Sequence, residues 1–172
     1  MMPVILCVDD DKTVLQSLRT LLTKTLGVPC QVEIAESGQE ALEILDEFRA
    51  EGRDVHVVIS DFIMPSMRGD ELLVRLHEKS PQMIKIMLTG QADFDGVKRV
   101  INEANLYRFL EKPFNNADLA LTARSAVQAR VREVALLARV AELERKVQVM
   151  QQAFGQASGQ EMGSSHGPTA GA

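Results

Sequence analysis

Apolar residues along this chain follow two alternating patterns. Short, nearly unbroken runs occupy Val4 to Val8, Val55 to Ile59 and Ile84 to Leu88. Such runs read as strands covered on both faces, because a strand buried on both sides has no reason to alternate apolar with polar residues. Gln31 to Ala35 and Leu106 to Leu110 read as two weaker strands. Between the strands the apolar positions take helical spacing: Val14, Leu18, Leu21 and Leu22; then Ala41, Leu45 and Phe48; then Leu72, Leu73 and Leu76; then Val97, Val100, Ile101 and Ala104. Local signals agree with these bounds. Ser37-Gly38-Gln39-Glu40 forms a capping box, Gly52 follows the second helix, and Ser80-Pro81 closes the third. Strand and helix therefore alternate along the chain, which predicts an α/β fold: a parallel sheet with helices on both faces.

The last third differs in kind. From Asn115 a helical pattern continues without Gly or Pro through Phe154, about 40 residues or roughly 60 Å, too long for a compact domain of this size to bury. With position a of a heptad at Val140, Val147 and Phe154 also fall at a, while Leu136, Leu143 and Met150 fall at d. Glu133 interrupts the pattern one heptad earlier. This is a coiled-coil seam of about three heptads, with Val at a and Leu at d favouring two parallel strands. Residues 155–172 hold five Gly, three Ala, three Ser and one charge, Glu161, without apolar periodicity, so they read as a flexible tail. The expected organisation is a domain over 1–126, a helical extension over 127–154 and the tail over 155–172.

Composition narrows the function. At 172 residues, with 45% hydrophobic and 25% charged, the chain has material for one folded domain and an extension. The formal charge of −5 removes the usual electrostatic case for non-specific binding to nucleic acid or anionic membranes. The bases of the long helix, among them Arg130, Arg132, Arg139, Arg145 and Lys146, are too sparse for a basic-region zipper, and no second set of short helices follows, so direct DNA binding is not expected. No apolar run approaches the 18 or so residues of a membrane span, and Met1-Met2-Pro3 lacks the layout of a signal peptide, which predicts a cytoplasmic protein. Cys7 and Cys30 show no metal-ligand spacing and read as free, mostly buried thiols.

In a parallel α/β sheet, ligands bind beyond the carboxyl ends of the strands. Here the first strand ends in Asp9-Asp10-Asp11, the third in Ser60-Asp61, the fourth in Thr89-Gly90 and the fifth in Glu111-Lys112-Pro113. A parallel sheet brings Asp9, Asp10, Asp61, Thr89 and Lys112 to one edge. Clustered carboxylates repel unless a cation sits among them, and hard oxygen ligands without His or Cys suit Mg²⁺. A lysine and a hydroxyl beside such a site supply donors for phosphoryl oxygens, and a carboxylate can itself be the nucleophile, forming an aspartyl phosphate. Taken singly, the Asp run also fits a helix cap, Thr89 a turn and Lys112 a solvated lysine; their order and strand-end placement together point to phosphoryl transfer.

The matching text is Val8-Asp9-Asp10-Asp11, then Asp61-Phe62-Ile63-Met64-Pro65 with Gly69 four residues on, then Leu88-Thr89-Gly90, then Lys112-Pro113-Phe114. Over about residues 3 to 126 the sequence resembles the response-regulator receiver domains of bacterial two-component signalling. The resemblance implies a flavodoxin-like five-stranded sheet in the order 2-1-3-4-5, with the last helix extended into the coil. It implies that Asp61 is the phosphoacceptor, with Asp10 a direct Mg²⁺ ligand, Asp9 a second acid acting largely through water, and the backbone carbonyl of Ile63 a further ligand. Thr89 and Lys112 would bind the phosphoryl group, Lys112 through an ion pair made only after phosphorylation. Phe109 holds the family's aromatic switch position, often Tyr. Phe carries no hydroxyl for the switching hydrogen bond. Tyr107, at i−2, could partly substitute, although simple packing is the plainer reading for it.

The function so implied is a phosphorylation-dependent switch. Asp61 takes a phosphoryl group from a histidine kinase or phosphotransfer protein, and the signal passes through a homodimerising helix to a downstream protein or effector domain. The chain itself is expected to be no enzyme beyond self-phosphorylation from small donors and self-dephosphorylation. One alternative is a receiver-like interaction module acting without phosphorylation, against which the intact acid, Thr and Lys set argues. Another is a Mg-dependent aspartyl-phosphate hydrolase, which needs a second acid two residues after its nucleophile, where this chain has Ile63.

Overall fold

The computed structural model describes residues 2–27, 29–90 and 94–161. Its elements are β1 (Val4–Val8), α1 (Lys12–Thr25), β2 (Gln31–Ala35), α2 (Gly38–Ala50), β3 (Val57–Asp61), α3 (Gly69–Lys79), β4 (Ile84–Thr89), α4 (Phe94–Ala104), β5 (Arg108–Glu111) and α5 (Asn116–Glu161). The five strands pair in parallel in the order β2-β1-β3-β4-β5. The pleat divides each strand between two cores. Val4, Leu6, Val8, Val58 and Met87 face α2, α3 and α4, whereas Ile5, Cys7, Val57, Ile59, Ile86 and Leu88 face α1 and the Leu119, Ala123, Ala126 and Val127 stripe of α5. The unbroken apolar runs of the sequence reflect this double coverage.

Helix ends follow local chemistry. Asp11 caps α1 by accepting from Thr13 N–H at 2.7 Å. Ser37 Oγ accepts from Glu40 N–H at 3.2 Å, and the Glu40 carboxylate reaches back one residue beyond the cap to the N–H of Glu36 at 2.6 Å. Gly52 turns the chain after α2 at φ +68°, a conformation costly for any residue with a Cβ. Cys7 is buried and Cys30 half-buried, both free; burial, with the nearby Cys30 adding to it, pushes the Cys7 thiol up to about 12, and burial pushes Cys30 to about 11.

Several bounds differ from the sequence reading. β3 starts at Val57, not Val55, and ends on Asp61; β5 starts at Arg108 because the chain leaves α4 through a left-handed Asn105 (φ 51°) and pairs first through Tyr107 N–H on the Lys85 carbonyl. The chain divides into two compact units, the first ending at Arg132 and the second starting at Glu133. The expected boundary at 126 thus moves outward, since Val127 and Arg130 are still buried. Helix α5 is also described through Glu161, so residues 155–161 are helical where a tail was expected. Each added residue gains a backbone hydrogen bond, Gln and Ala are good helix formers, and single glycines cost only about 1 kcal/mol each. Residues 162–172 of the expected tail lie outside the described residues.

One buried charge is unexpected. Lys85, in the apolar run of β4, is fully buried (0% exposed), with Nζ donating to the Pro81 carbonyl at 3.1 Å and standing 2.7 Å from His77 Nδ1. Burial lowers its pKa from 10.5 to about 8. The folded state therefore sheds this proton before the unfolded state does, so the contribution of Lys85 to stability rises with pH between about 8 and 10.5 and is constant below about 8. Lys85→Met removes the desolvation cost and should stabilise the protein at neutral pH by about 1 kcal/mol. Urea unfolding of both proteins across this pH range should show the advantage shrinking as pH rises; a constant difference would place the neutralisation elsewhere.

Candidate functional site

The carboxyl ends of the strands build the site. β1 delivers Asp9 and Asp10 just past Val8, β3 ends on Asp61, β4 ends on Thr89, and β5 leads through Glu111 into Lys112. Parallel register brings these ends level, with Val8 opposite Ser60, Asp61 opposite Leu88 and Thr89 opposite Glu111. Backbone bonds lock the edge: Lys112 N–H donates to the Thr89 carbonyl at 2.7 Å and Phe62 N–H to the Leu88 carbonyl at 2.8 Å.

Three expected residues meet directly. The Lys112 ammonium lies 2.7 Å from Asp61 Oδ1 and 3.3 Å from Asp9 Oδ2. Asp9 and Asp61 are buried, 2% and 6% exposed, so both carboxylates need compensation. Asp9 accepts from Asp11 N–H at 2.9 Å, and Asp61 Oδ2 from Ile63 N–H at 3.1 Å. Burial holds the Asp9 carboxyl above the usual range; the Asp11 N–H and Lys112 pull it down and the Asp61 charge pushes it up, with burial prevailing. Burial alone would lower Lys112, but its hydrogen bond to Asp61 and the charges of Asp61 and Asp9 outweigh that and hold it above an ordinary lysine. The expectation that Lys112 makes its ion pair only after phosphorylation is thereby corrected. Two buried acids side by side require a cation at all times, and the lysine is already there.

The remaining expected residues are more exposed or differently placed. Thr89 is buried, Asp10 is exposed, and Ile63 is exposed with its backbone beside Asp61. Phe109 and Tyr107 are 48% and 47% exposed, so neither is seated in the core, and the packing expected of Tyr107 is only partial. Gly69 matters sterically: a Cβ there would stand 2.1 Å from the Asp61 carbonyl oxygen, and its N–H donates to the Phe62 carbonyl at 2.9 Å. The absent side chain lets α3 begin directly against the strand end.

Sequence reasoning missed a cluster next to the site. Asp70, buried in the first turn of α3, pairs with Arg68 and with Arg99 of α4, and the Arg68 guanidinium stacks 4.6 Å over the Phe62 ring. No local signal links Asp70 to Arg99, because they lie on different helices.

The donor set fits Mg²⁺. Among the described residues, no three or more His, Cys, Asp or Glu side chains close a ready-made cage. Mg²⁺ does not need one, since it keeps several waters and takes one or two carboxylates. Asp9 and Asp61 carry two negative charges against the single positive charge of Lys112, and exposed Asp10 adds a third. The edge therefore retains the net negative charge and hard oxygens that a divalent cation requires.

The receiver-domain profile of response regulators matches residues 5–124. The chain belongs to the response regulator receiver family. The receiver is 34% identical over 125 residues to the sensor kinase CckA of Brucella abortus, covering 73% of this chain and 12% of that protein. It is 30% identical over 125 residues to the hydrogenase transcriptional regulatory protein HoxA of Cupriavidus necator, covering 73% of this chain and 24% of HoxA. The chain thus spans a quarter or less of these two relatives' length. In structure it resembles the signal receiver domain of an HD domain-containing protein from Pseudomonas fluorescens, with TM-score 0.67 and 33% identity over 77% of this chain and 99% of that one. The family serves phosphorylation-based signalling, and receivers generally interact with histidine kinases or phosphotransfer proteins and bind Mg²⁺ at an acidic phosphorylation site. Among the described residues, no helix of the receiver is long and apolar enough to cross a membrane.

Proposed function

We propose that the chain is the phosphorylation switch of a cytoplasmic two-component response regulator, with Asp61 the phosphoacceptor and α5 the dimerising element that passes the signal on. The observation that carries this reading is the buried Asp61 at the end of β3, held 2.7 Å from the Lys112 ammonium with Asp9 beside the same lysine. A carboxylate oxygen of Asp61 attacks phosphorus, the bond from phosphorus to the donor breaks, and the donor leaves with the electron pair: an imidazole nitrogen of a kinase or phosphotransfer histidine, or acetate from acetyl phosphate. Asp9, Asp10, Asp61 and the Ile63 carbonyl would hold Mg²⁺, which supplies charge neutralisation for the incoming phosphoryl oxygens.

The other residues have distinct parts. Lys112 neutralises the resting carboxylates and follows the phosphoryl oxygens, while Thr89 donates its hydroxyl to them. Phe109, half exposed at rest, is the side chain whose burial reports the change. The chain carries no chemistry on a separate substrate, and the output belongs to a partner protein or an effector domain. Relatives named as a transcriptional regulator and as a sensor kinase indicate that similar receivers serve different outputs.

Dimerisation is supported by the second unit. Leu136, Val140, Leu143, Val147, Met150 and Phe154 are all between 45% and 74% exposed on one helix, a stripe that a lone helix leaves in water. In the single chain Arg139 pairs with Glu142 at 2.8 Å, and Lys146 with the same carboxylate at 2.7 Å.

Incubation with acetyl phosphate, followed by intact-mass measurement, tests the switch. One phosphoryl group per chain should appear with Mg²⁺ and disappear with chelator. Labelling indifferent to chelation would overturn the reading.

A further inference from the structure

Asp70 occupies an uncommon position for an acid. It lies in the first turn of α3, where a carboxylate suits the helix dipole, but it is 6% exposed and its partners come from two elements. Arg68 Nε donates to Asp70 Oδ1 at 3.1 Å, and Arg99 Nη1 of α4 lies 3.7 Å from Oδ2. A second contact joins the same elements. Arg68 stacks on Phe62, the residue after Asp61, and α4 sets Gly96 against that ring so closely that a Cβ would fall 2.5 Å from its edge. The first turns of α4 are thus fastened to the segment carrying Asp61 by an ionic contact and a steric one. A cleft of about 450 Å³, lined by Arg68, Asp70, Glu71, Asp95, Gly96 and Arg99, adjoins the cluster, and Arg99 also pairs through Nε with Glu103 of its own helix at 3.2 Å.

This fastening belongs to the unmodified arrangement, in which Lys112 pairs with Asp61 and Phe109 is exposed. α4 begins five residues after Thr89, the hydroxyl that must approach the phosphoryl group. A contact that holds α4 to the β3–α3 segment adds to the free-energy gap between this arrangement and any in which α4 shifts relative to that segment.

We propose that Asp70 is a positioning residue which, through Arg68 and Arg99, latches α4 to the β3–α3 segment and restrains the response of Asp61 to phosphorylation. This inference rests on the receiver reading above. By population-shift arithmetic, a loosened latch raises the competent fraction and tightens the apparent affinity of any ligand that binds only that arrangement.

The test is calorimetric binding of beryllofluoride in the presence of Mg²⁺ to the full chain and to Arg99→Gln, Asp70→Asn and the double variant. The Arg99 side chain is 43% exposed, so Arg99→Gln should keep the fold and carry the test even if Asp70→Asn does not. The variants should bind about fivefold more tightly, and the double variant should gain no more than Asp70→Asn alone, because both changes open one latch. A merely structural role would lower the melting temperature and leave beryllofluoride affinity unchanged; that result, or weaker binding, overturns the latch while leaving the receiver reading intact. Failure of the unaltered chain to bind beryllofluoride overturns both.

Discussion

Asp61→Asn should abolish phosphorylation from acetyl phosphate, with labelling falling to the limit of intact-mass detection. The amide is nearly isosteric and keeps an oxygen to accept the Ile63 N–H, so the turn after β3 survives. What it lacks is the anionic oxygen that attacks phosphorus. The substitution also removes one partner of Lys112, which keeps Asp9 as its counter-charge, and it relieves repulsion between two buried acids. Thermal stability should therefore change little, within about 1 kcal/mol in either direction. Loss of labelling with retained folding isolates the chemistry from the scaffold. Unchanged labelling would assign the acceptor to another carboxylate of the edge, Asp9 or exposed Asp10, and would sink the assignment of Asp61.

Leu143→Asp should convert the proposed dimer to a monomer, halving the mass seen by sedimentation at tens of micromolar. Leu143 is at d in the middle of the seam, flanked by Val140 and Val147 at a. In a parallel pair its two copies meet, and each buried leucine contributes roughly 1.5–3 kcal/mol. Two aspartates facing each other there forfeit that burial and add like-charge repulsion. Leu143 lies in the second compact unit and is 46% exposed in the single chain, so the receiver should fold and accept phosphate as before. An unchanged mass, or a monomeric parent protein at the same concentration, would remove the coil from the proposed mechanism.

Much of this molecule is legible without its structure because the deciding physics is local or periodic. Unbroken apolar runs at Val4 to Val8 and Ile84 to Leu88 mark strands covered on both faces, and helical spacing between them leaves a parallel sheet as the economical arrangement. Once the sheet is parallel, residues just after the strands share one edge, so Asp9, Asp61, Thr89 and Lys112 could be grouped from their order alone. The seven-residue period from Leu136 to Phe154 is likewise local, and these positions stand exposed in the single chain. The tertiary structure decided what depends on burial and on distances across the fold. It buried Asp9 and Asp61 while leaving Asp10 exposed, and it made Lys112 a standing partner where a conditional one was expected, because desolvated acids must be neutralised in every state. It also set Lys85 beside His77 and Asp70 beside Arg99, contacts between different elements that depend on how strand and helices pack. A local period records which face a residue takes; how far that face is dehydrated, and which charge stands opposite, is fixed only when the elements close on one another.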